Sequence, residues 1–361
     1  MQERKNHEPI KGRGAPHNEG SARFNLPQRE ADGDWLDALP DIDGMLPPLR
    51  TTVTIEHPKT IITRNQSPDI GFDRSVNAYR GCEHGCIYCF ARPTHAYHDL
   101  SPGLDFETQL FAKPEAASLL RTELNKRHYA PRPLAMGTNT DPYQPIEAQW
   151  QITRQCIEVL AEARHPLVIT TKSNRILRDL DLLRDMARDD LVAVAISVTS
   201  LSSDISRTLE PRAPHPEKRL AAVRKLSQAG VKTYVNIAPV VPAITDHELE
   251  AIVSRAAEAG ACGAFYMVVR LPLEVVPLFR AWLDAHYPER AGKVMAIIRD
   301  IRGGRDNSPE FHERMRGRGV WADLFRTRFR KALARYGLVN KTLDLRCDLF
   351  RPPSTDQLSL F

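Results

Sequence analysis

An α/β fold built on a parallel sheet is predicted by three features of this 361-residue sequence. Between about Arg74 and Arg270, six short β-branched runs alternate with longer runs whose apolar residues recur at helical spacing. Crossover helices of this kind make neighbouring strands parallel. An apolar content of 42% over this length is enough for one large α/β domain with appendages.

The first strand is Ser75 to Tyr79, which leads directly into Gly81-Cys82. The second is Leu134 to Thr138, followed by a helix from about Ile146 to Ala163 with Ile152, Cys156, Val159 and Leu160 on one face. The third is Pro166 to Lys172, and a helix carrying Leu177, Leu180, Leu183 and Met186 follows it. Leu191 to Thr199 is an unbroken β-branched and small run, as in a strand buried on both faces. A helix from Pro216 to Ala229 is closed by Gly230, and Val231 to Val240 is the fifth strand. A helix from His247 to Ala259 ends at Gly260, and Gly263 to Arg270 is the sixth strand. Periodicity alone leaves open whether such a sheet lies flat or curls towards a barrel.

Residues 1–50 are rich in Pro, Gly, Asn, Asp and Glu without periodicity, and are expected to be disordered, with Trp35-Leu36-Asp37-Ala38-Leu39 as a short docking element. The α/β core spans residues 70–275. A basic helical C-terminal extension, residues 276–361, is helical to about Leu338 and ends in a short tail, Asp344 to Pro353.

No apolar run approaches the ~20 residues of a membrane span. The basic N-terminus lacks the apolar stretch of a secretory signal, so a cytoplasmic protein without membrane contact is expected. The formal charge is +5, from 50 Lys and Arg against 45 Asp and Glu. Between Pro288 and Tyr336 there are 13 basic and 6 acidic residues, so the whole positive excess lies near the C-terminus. Arg314, Arg316, Arg318, Arg326, Arg328, Arg330, Lys331 and Arg335 interleave there with Trp321, Phe325 and Phe329. Cationic groups with stacking aromatics suit a nucleic acid. The aromatics also recur every four residues, which favours an amphipathic helix packed on the core with its arginines in water.

Six cysteines are too few for a disulfide scaffold, and three fall within eight positions of Gly81-Cys82-Glu83-His84-Gly85-Cys86-Ile87-Tyr88-Cys89-Phe90. Thiolates hold iron–sulfur clusters, and a complete cubane normally takes four. Three leave one iron open to an exogenous ligand. The loop follows a predicted strand, at the end of the sheet where α/β sites form. The alternative is a non-catalytic protein with a structural zinc, or an iron–sulfur centre, that binds nucleic acid; His84, His95 and His98 are the candidate zinc partners.

Cys-x-x-x-Cys-x-x-Cys with an aromatic before the last cysteine resembles the signature of the radical S-adenosylmethionine (SAM) superfamily. The resemblance covers about residues 70 to 275 and implies a partial (β/α)6, TIM-like barrel. It implies a 4Fe-4S cluster on Cys82, Cys86 and Cys89, with SAM chelating the open iron and cleaved reductively to a 5′-deoxyadenosyl radical. It also implies an external one-electron donor of flavodoxin or ferredoxin type.

By position, the resemblance carries contacts with the methionine amino group to Thr138, Asn139, Thr140 and Asp141, and the methionine carboxylate to Lys172. It carries the ribose to Ser197 and Thr199, and the adenine to Tyr88. Asn236, a polar residue inside an apolar strand, needs a partner, either the cofactor or a neighbouring backbone group. The motif order is similar to the spore photoproduct lyase-like subgroup, which also has a segment like Glu210-Pro211-Arg212. Two departures count against the lyase reaction itself. The segment from Met136 to Asp141 lacks the hydrogen-donating cysteine, and Phe90 stands where the subgroup has a second tyrosine. Of the remaining cysteines, Cys156 and Cys262 read as ordinary small apolar residues, and Cys347 in the tail is the candidate to fold back over the pocket.

Overall fold

The computed structural model describes residues 10, 12–24, 50–341 and 344–353. Its strands are β1 (Thr52–Ile55), β2 (Ile62–Arg64), β3 (Arg74–Val76), β4 (Tyr79–Arg80), β5 (Gln109–Ala112), β6 (Leu134–Met136), β7 (Leu167–Thr171), β8 (Val192–Ser197), β9 (Lys232–Val240) and β10 (Gly263–Val268). The longer α-helices are α1 (Ala116–Leu124), α2 (Ile152–Glu162), α3 (Leu180–Ala187), α4 (Ser203–Leu209), α5 (Pro216–Gln228), α6 (Leu249–Glu258), α7 (Val275–His286), α8 (Pro288–Ile301) and α9 (Gly319–Tyr336).

The main sheet has the order β10-β9-β8-β7-β6-β3-β2. The six strands from β3 to β10 in this sheet run parallel, and β2 adds antiparallel to β3. This is an α/β fold consistent with a partial (β/α)6 barrel. The sheet stays open, with β10 bridged at Gly263 by Val339 beyond α9. β8 is buried along its whole length, as its composition predicts.

Three local departures from the pattern have physical causes. The predicted first strand divides: β3 joins the main sheet, whereas β4 pairs with β5, which also pairs with β1 in a separate small sheet. Between them the Asn77 amide accepts from the Asn139 backbone N–H at 3.1 Å, tying the break to the end of β6. The predicted helix over 146–163 is interrupted at Gln151, whose φ is 52°. There the buried Glu147 carboxylate accepts from the Thr153 N–H at 3.0 Å, capping α2, and from the Tyr79 hydroxyl. The C-terminal extension is not helical throughout, because α8 and α9 are separated by a loop with left-handed glycines at 303, 304 and 317.

Residues 12–24, expected to be disordered, are instead packed. Arg13 to Ala15 are buried, and the Gly14 and Ala15 N–H groups donate to Glu107 at 3.0 and 2.8 Å. Composition misses this because the segment is held largely by scattered polar contacts, the Gly14 and Ala15 backbone on Glu107 and the Asn18 and Arg23 side chains on Asp105 and Glu274, rather than by a periodic apolar face. The rest of the segment expected to be disordered, including residues 35–39, lies outside the described residues. The C-terminal tail docks at the amino ends of the strands, where the Arg346 and Arg351 N–H groups donate to the carbonyls of Asp190 and Ala163.

Candidate functional site

The strands' carboxyl ends surround a cavity of about 220 Å³. Cys82, Cys86 and Cys89 line it together with Tyr88, Thr138, Asn139, Thr140, Asp141, Lys172, Ser197 and Asn236. Thr199 does not line it. It stands behind Tyr88, donating to Glu210 at 2.6 Å.

The cysteine loop is held from behind. Gly81 and Gly85 have φ of 70° and 66°, which only glycine adopts freely. The buried Arg92 side chain donates to the carbonyls of Gly85 and Cys86, at 3.2 and 2.9 Å, and pairs with the buried Glu107. From the other side, Thr140 and Gln144 donate to the Gly81 carbonyl, and Gln144 accepts from the Glu83 N–H at 2.9 Å.

Asp141 lines the cavity and is held in place by protein donors. Its carboxylate accepts from the Thr171 hydroxyl at 2.6 Å, the Tyr143 N–H at 2.9 Å and the Lys172 N–H at 2.8 Å, and faces His84 at 3.4 Å. Burial alone would raise this carboxyl, but His84 and these donors bring it down to about 2. Thr138 is paired with Asn77, whereas the Ser197 and Asn236 side chains, opposite each other on β8 and β9, have no protein hydrogen bond among the described residues.

Lys172 places its ammonium 5.6 Å from the centre of the Tyr88 ring. Burial works against its charge, but Cys86, Glu210 and Asp141 outweigh that and raise its pKa. Beneath it, Glu210 accepts from the hydroxyls of Tyr88 and Thr199 and pairs with Arg219, all of them buried. Burial opposes ionisation of Glu210, yet Arg219 and Lys172 with the two hydroxyl donors lower it to about 2. The sequence reading missed Glu210, Arg219, Arg92, Glu107 and Gln144. The one signal was the Glu210-Pro211-Arg212 segment, and there it is Glu210, not Arg212, that supports the site; Arg212 pairs with Glu83.

The sequence profile of the radical SAM superfamily matches residues 76–256. The chain belongs to the radical SAM superfamily. It is 37% identical over 249 residues to an uncharacterized protein of Mycobacterium tuberculosis, covering 68% of this chain and 72% of that one. An uncharacterized protein of Methanocaldococcus jannaschii is 28% identical over 214 residues, covering 59% and 76%. Among solved structures, spore photoproduct lyase complexed with dinucleoside spore photoproduct aligns over 79% of both chains at a TM-score of 0.52 and 15% identity, a likeness of fold.

Membership in the radical SAM superfamily makes this chain a radical SAM enzyme, and implies a 4Fe-4S cluster, SAM and an electron donor. The donor set fits such a cluster. As free groups the Cys82 and Cys86 thiols stay protonated, since burial raises Cys86 to about 12 and Cys82 well above its usual value. A cationic metal centre is what deprotonates such thiols. In a cubane each thiolate binds a different iron, so the sulfurs need not converge on one point. Among the described residues no three His, Cys, Asp or Glu side chains converge as a single metal ion requires.

The zinc alternative fails on its histidines. His84 faces Asp141, His95 bonds the Gln109 carbonyl, and His98 packs on Phe111. In the basic extension Phe325 and Phe329 are buried, Trp321 is half-buried, Phe329 lies 4.7 Å from Tyr266, and Arg314 and Arg328 pair with Asp69 and Glu250. The amphipathic arrangement is the one observed. No helix among the described residues is long and apolar enough to cross a membrane.

Proposed function

We propose that Cys82, Cys86 and Cys89 hold a 4Fe-4S cluster with one iron free of protein ligands, and that the chain cleaves SAM reductively in the cavity they line. When bound, the cluster would supply one electron to the sulfonium, breaking its C5′–S bond to give methionine and a 5′-deoxyadenosyl radical able to take a hydrogen atom from substrate. The observation that carries this reading is that the three thiols and the polar ends of β6 to β9 open onto one cavity.

In this reading the chain's own residues bind and orient. Lys172 is a fixed cation for the methionine carboxylate. The backbone carbonyls of Thr138, Asn139 and Thr140, with the Asn139 side-chain oxygen, meet the amino group, since the Thr138 hydroxyl is bonded to Asn77 and the Thr140 hydroxyl to Gly81 and Gln144. Ser197 and Asn236 take the ribose hydroxyls, and Tyr88, clamped by Glu210, backs the pocket. Asp141 and Thr199 are positioning residues, because their polar groups are bonded to protein. Phe90, 50% exposed beside Cys89, marks the face that a flavodoxin or ferredoxin would approach.

A thiol-relay reaction of the lyase kind is disfavoured. Cys156 is enclosed in α2, Cys262 donates to the Thr233 carbonyl just before β10, and Cys347 lies in the tail at the opposite end of the strands. Anaerobic reconstitution with iron and sulfide tests the proposal. A brown protein absorbing near ~400 nm that releases 5′-deoxyadenosine from SAM under dithionite is expected. Colourless protein carrying stoichiometric zinc would overturn it.

A further inference from the structure

We propose that Arg270 forms a subsite for a phosphate ester of the substrate on the β10 side of the cavity. The inference rests on the radical SAM reading of that cavity and names the chemical class of its substrate.

Arg270 lies two residues beyond β10 and lines the cavity with Met267, Asn236 and Pro239. Its guanidinium is poorly satisfied. Nε is buried without a hydrogen-bond partner, and Nη1 reaches only the thioether of Met315, at 3.4 Å. A thioether is a weak acceptor, and a half-buried cation without an anion is unfavourable. No carboxylate pairs with Arg270 among the described residues. Asp69, the acid that faces it, is engaged by the Arg314 side chain at 2.5 Å and the His312 N–H at 2.6 Å.

The surroundings add more positive charge than they compensate, with Arg302 and Arg314 set against Asp69. Arg302 is buried behind β10 and donates to the carbonyls of Val268 and Val269 on one side and of Glu313 and Arg314 on the other. It thereby fixes the strand end that carries Arg270 and the turn that carries Met315. Burial, then the neighbouring Arg314, lowers the Arg270 pKa, as expected for a cation lacking a counter-ion. Of the cavity's two cationic side chains, Lys172 already faces Cys86, Glu210 and Asp141. Arg270 is left for an oxyanion. The planar fork fits carboxylate and phosphate alike, but with Arg302 beside it as a second cation, Arg314 being paired with Asp69, a phosphate is the better complement because it offers more acceptor oxygens.

The test is a ³¹P NMR titration of the full-length, anaerobically reconstituted protein, at fixed ionic strength. The probes are a dinucleoside monophosphate, a nucleoside 5′-monophosphate and inorganic phosphate, with acetate as competitor and SAM affinity measured alongside. At least one phosphate ester is expected to bind, acetate is expected not to displace it, and Arg270→Gln is expected to weaken it about tenfold or more. Arg270→Lys keeps the charge and carries the test if the glutamine variant does not fold; loss of the fork is expected to cost several-fold in affinity. The proposal is overturned if the wild type binds no phosphate probe, if acetate competes equally, or if the variants bind phosphate as the wild type does. It is also overturned if Arg270→Gln weakens SAM rather than phosphate. Iron content and 5′-deoxyadenosine release are read in the same wild-type samples, so failure of the cluster reading is scored separately.

Discussion

Arg92 and Glu107 form an ion pair 2.5 Å apart, with both side chains shut off from solvent. The pair ties the cysteine loop to the N-terminal arm: Arg92 holds the carbonyls of Gly85 and Cys86, while Glu107 holds the backbone of Gly14 and Ala15. Removing one partner of a buried pair leaves the other charge uncompensated, at a cost of about 3–5 kcal/mol. Glu107→Gln is expected to lower the melting temperature and reduce iron retained after reconstitution, measured by calorimetry and iron assay.

Gly14 packs so closely that an added Cβ would lie 1.8 Å from the Gly85 carbonyl oxygen. Gly14→Ala forces the N-terminal arm off the cysteine loop, a clash of the kind that costs about 1–3 kcal/mol. Faster loss of the 400-nm chromophore in air, with little change in the far-ultraviolet circular dichroism, is the expected result.

Alanine at Cys82, Cys86 or Cys89 is expected to abolish 5′-deoxyadenosine release and most iron binding. Alanine at Cys262 or Cys347 is expected to leave both near wild type, since those thiols lie outside the cavity lining. Iron assay and chromatography of the nucleoside product check this contrast.

Lys172→Met keeps the length of the side chain and removes the charge. If the ammonium meets the methionine carboxylate, SAM affinity falls by about tenfold to a hundredfold, equivalent to about 1.4–3 kcal/mol. Equilibrium dialysis with labelled SAM measures it.

His165 is buried and neutral, with one ring nitrogen on the Pro166 carbonyl at 3.0 Å and the other on the Tyr129 hydroxyl at 2.8 Å. Burial lowers its pKa from 6.5 to about 4. Because the folded pKa lies below the unfolded one, unfolding takes up a proton between those values. Stability from this group is full above about pH 6.5 and is lost as pH falls towards 4, by on the order of 1–3 kcal/mol. Denaturant midpoints from pH 7.5 to 4.5 should show the decline, and His165→Gln should flatten it.

The sequence by itself determined the parallel α/β core and the cysteine loop, because both are local signals. Strand and helix periods repeat over ten or so residues, and Cys82, Cys86 and Cys89 carry their spacing with them. Polar strand ends such as Thr138 to Thr140 and Lys172 were legible for the same reason: every parallel strand ends on the same side. Only the tertiary structure decided which groups answer each other across the chain. Glu210 meets Tyr88 over 122 residues of separation, Glu107 meets Gly14 over 93, and the tail with Cys347 docks at the end of the sheet away from the cavity. These pairings join charged or backbone groups far apart in sequence, and buried charge leaves no periodic trace along the chain from which to read them.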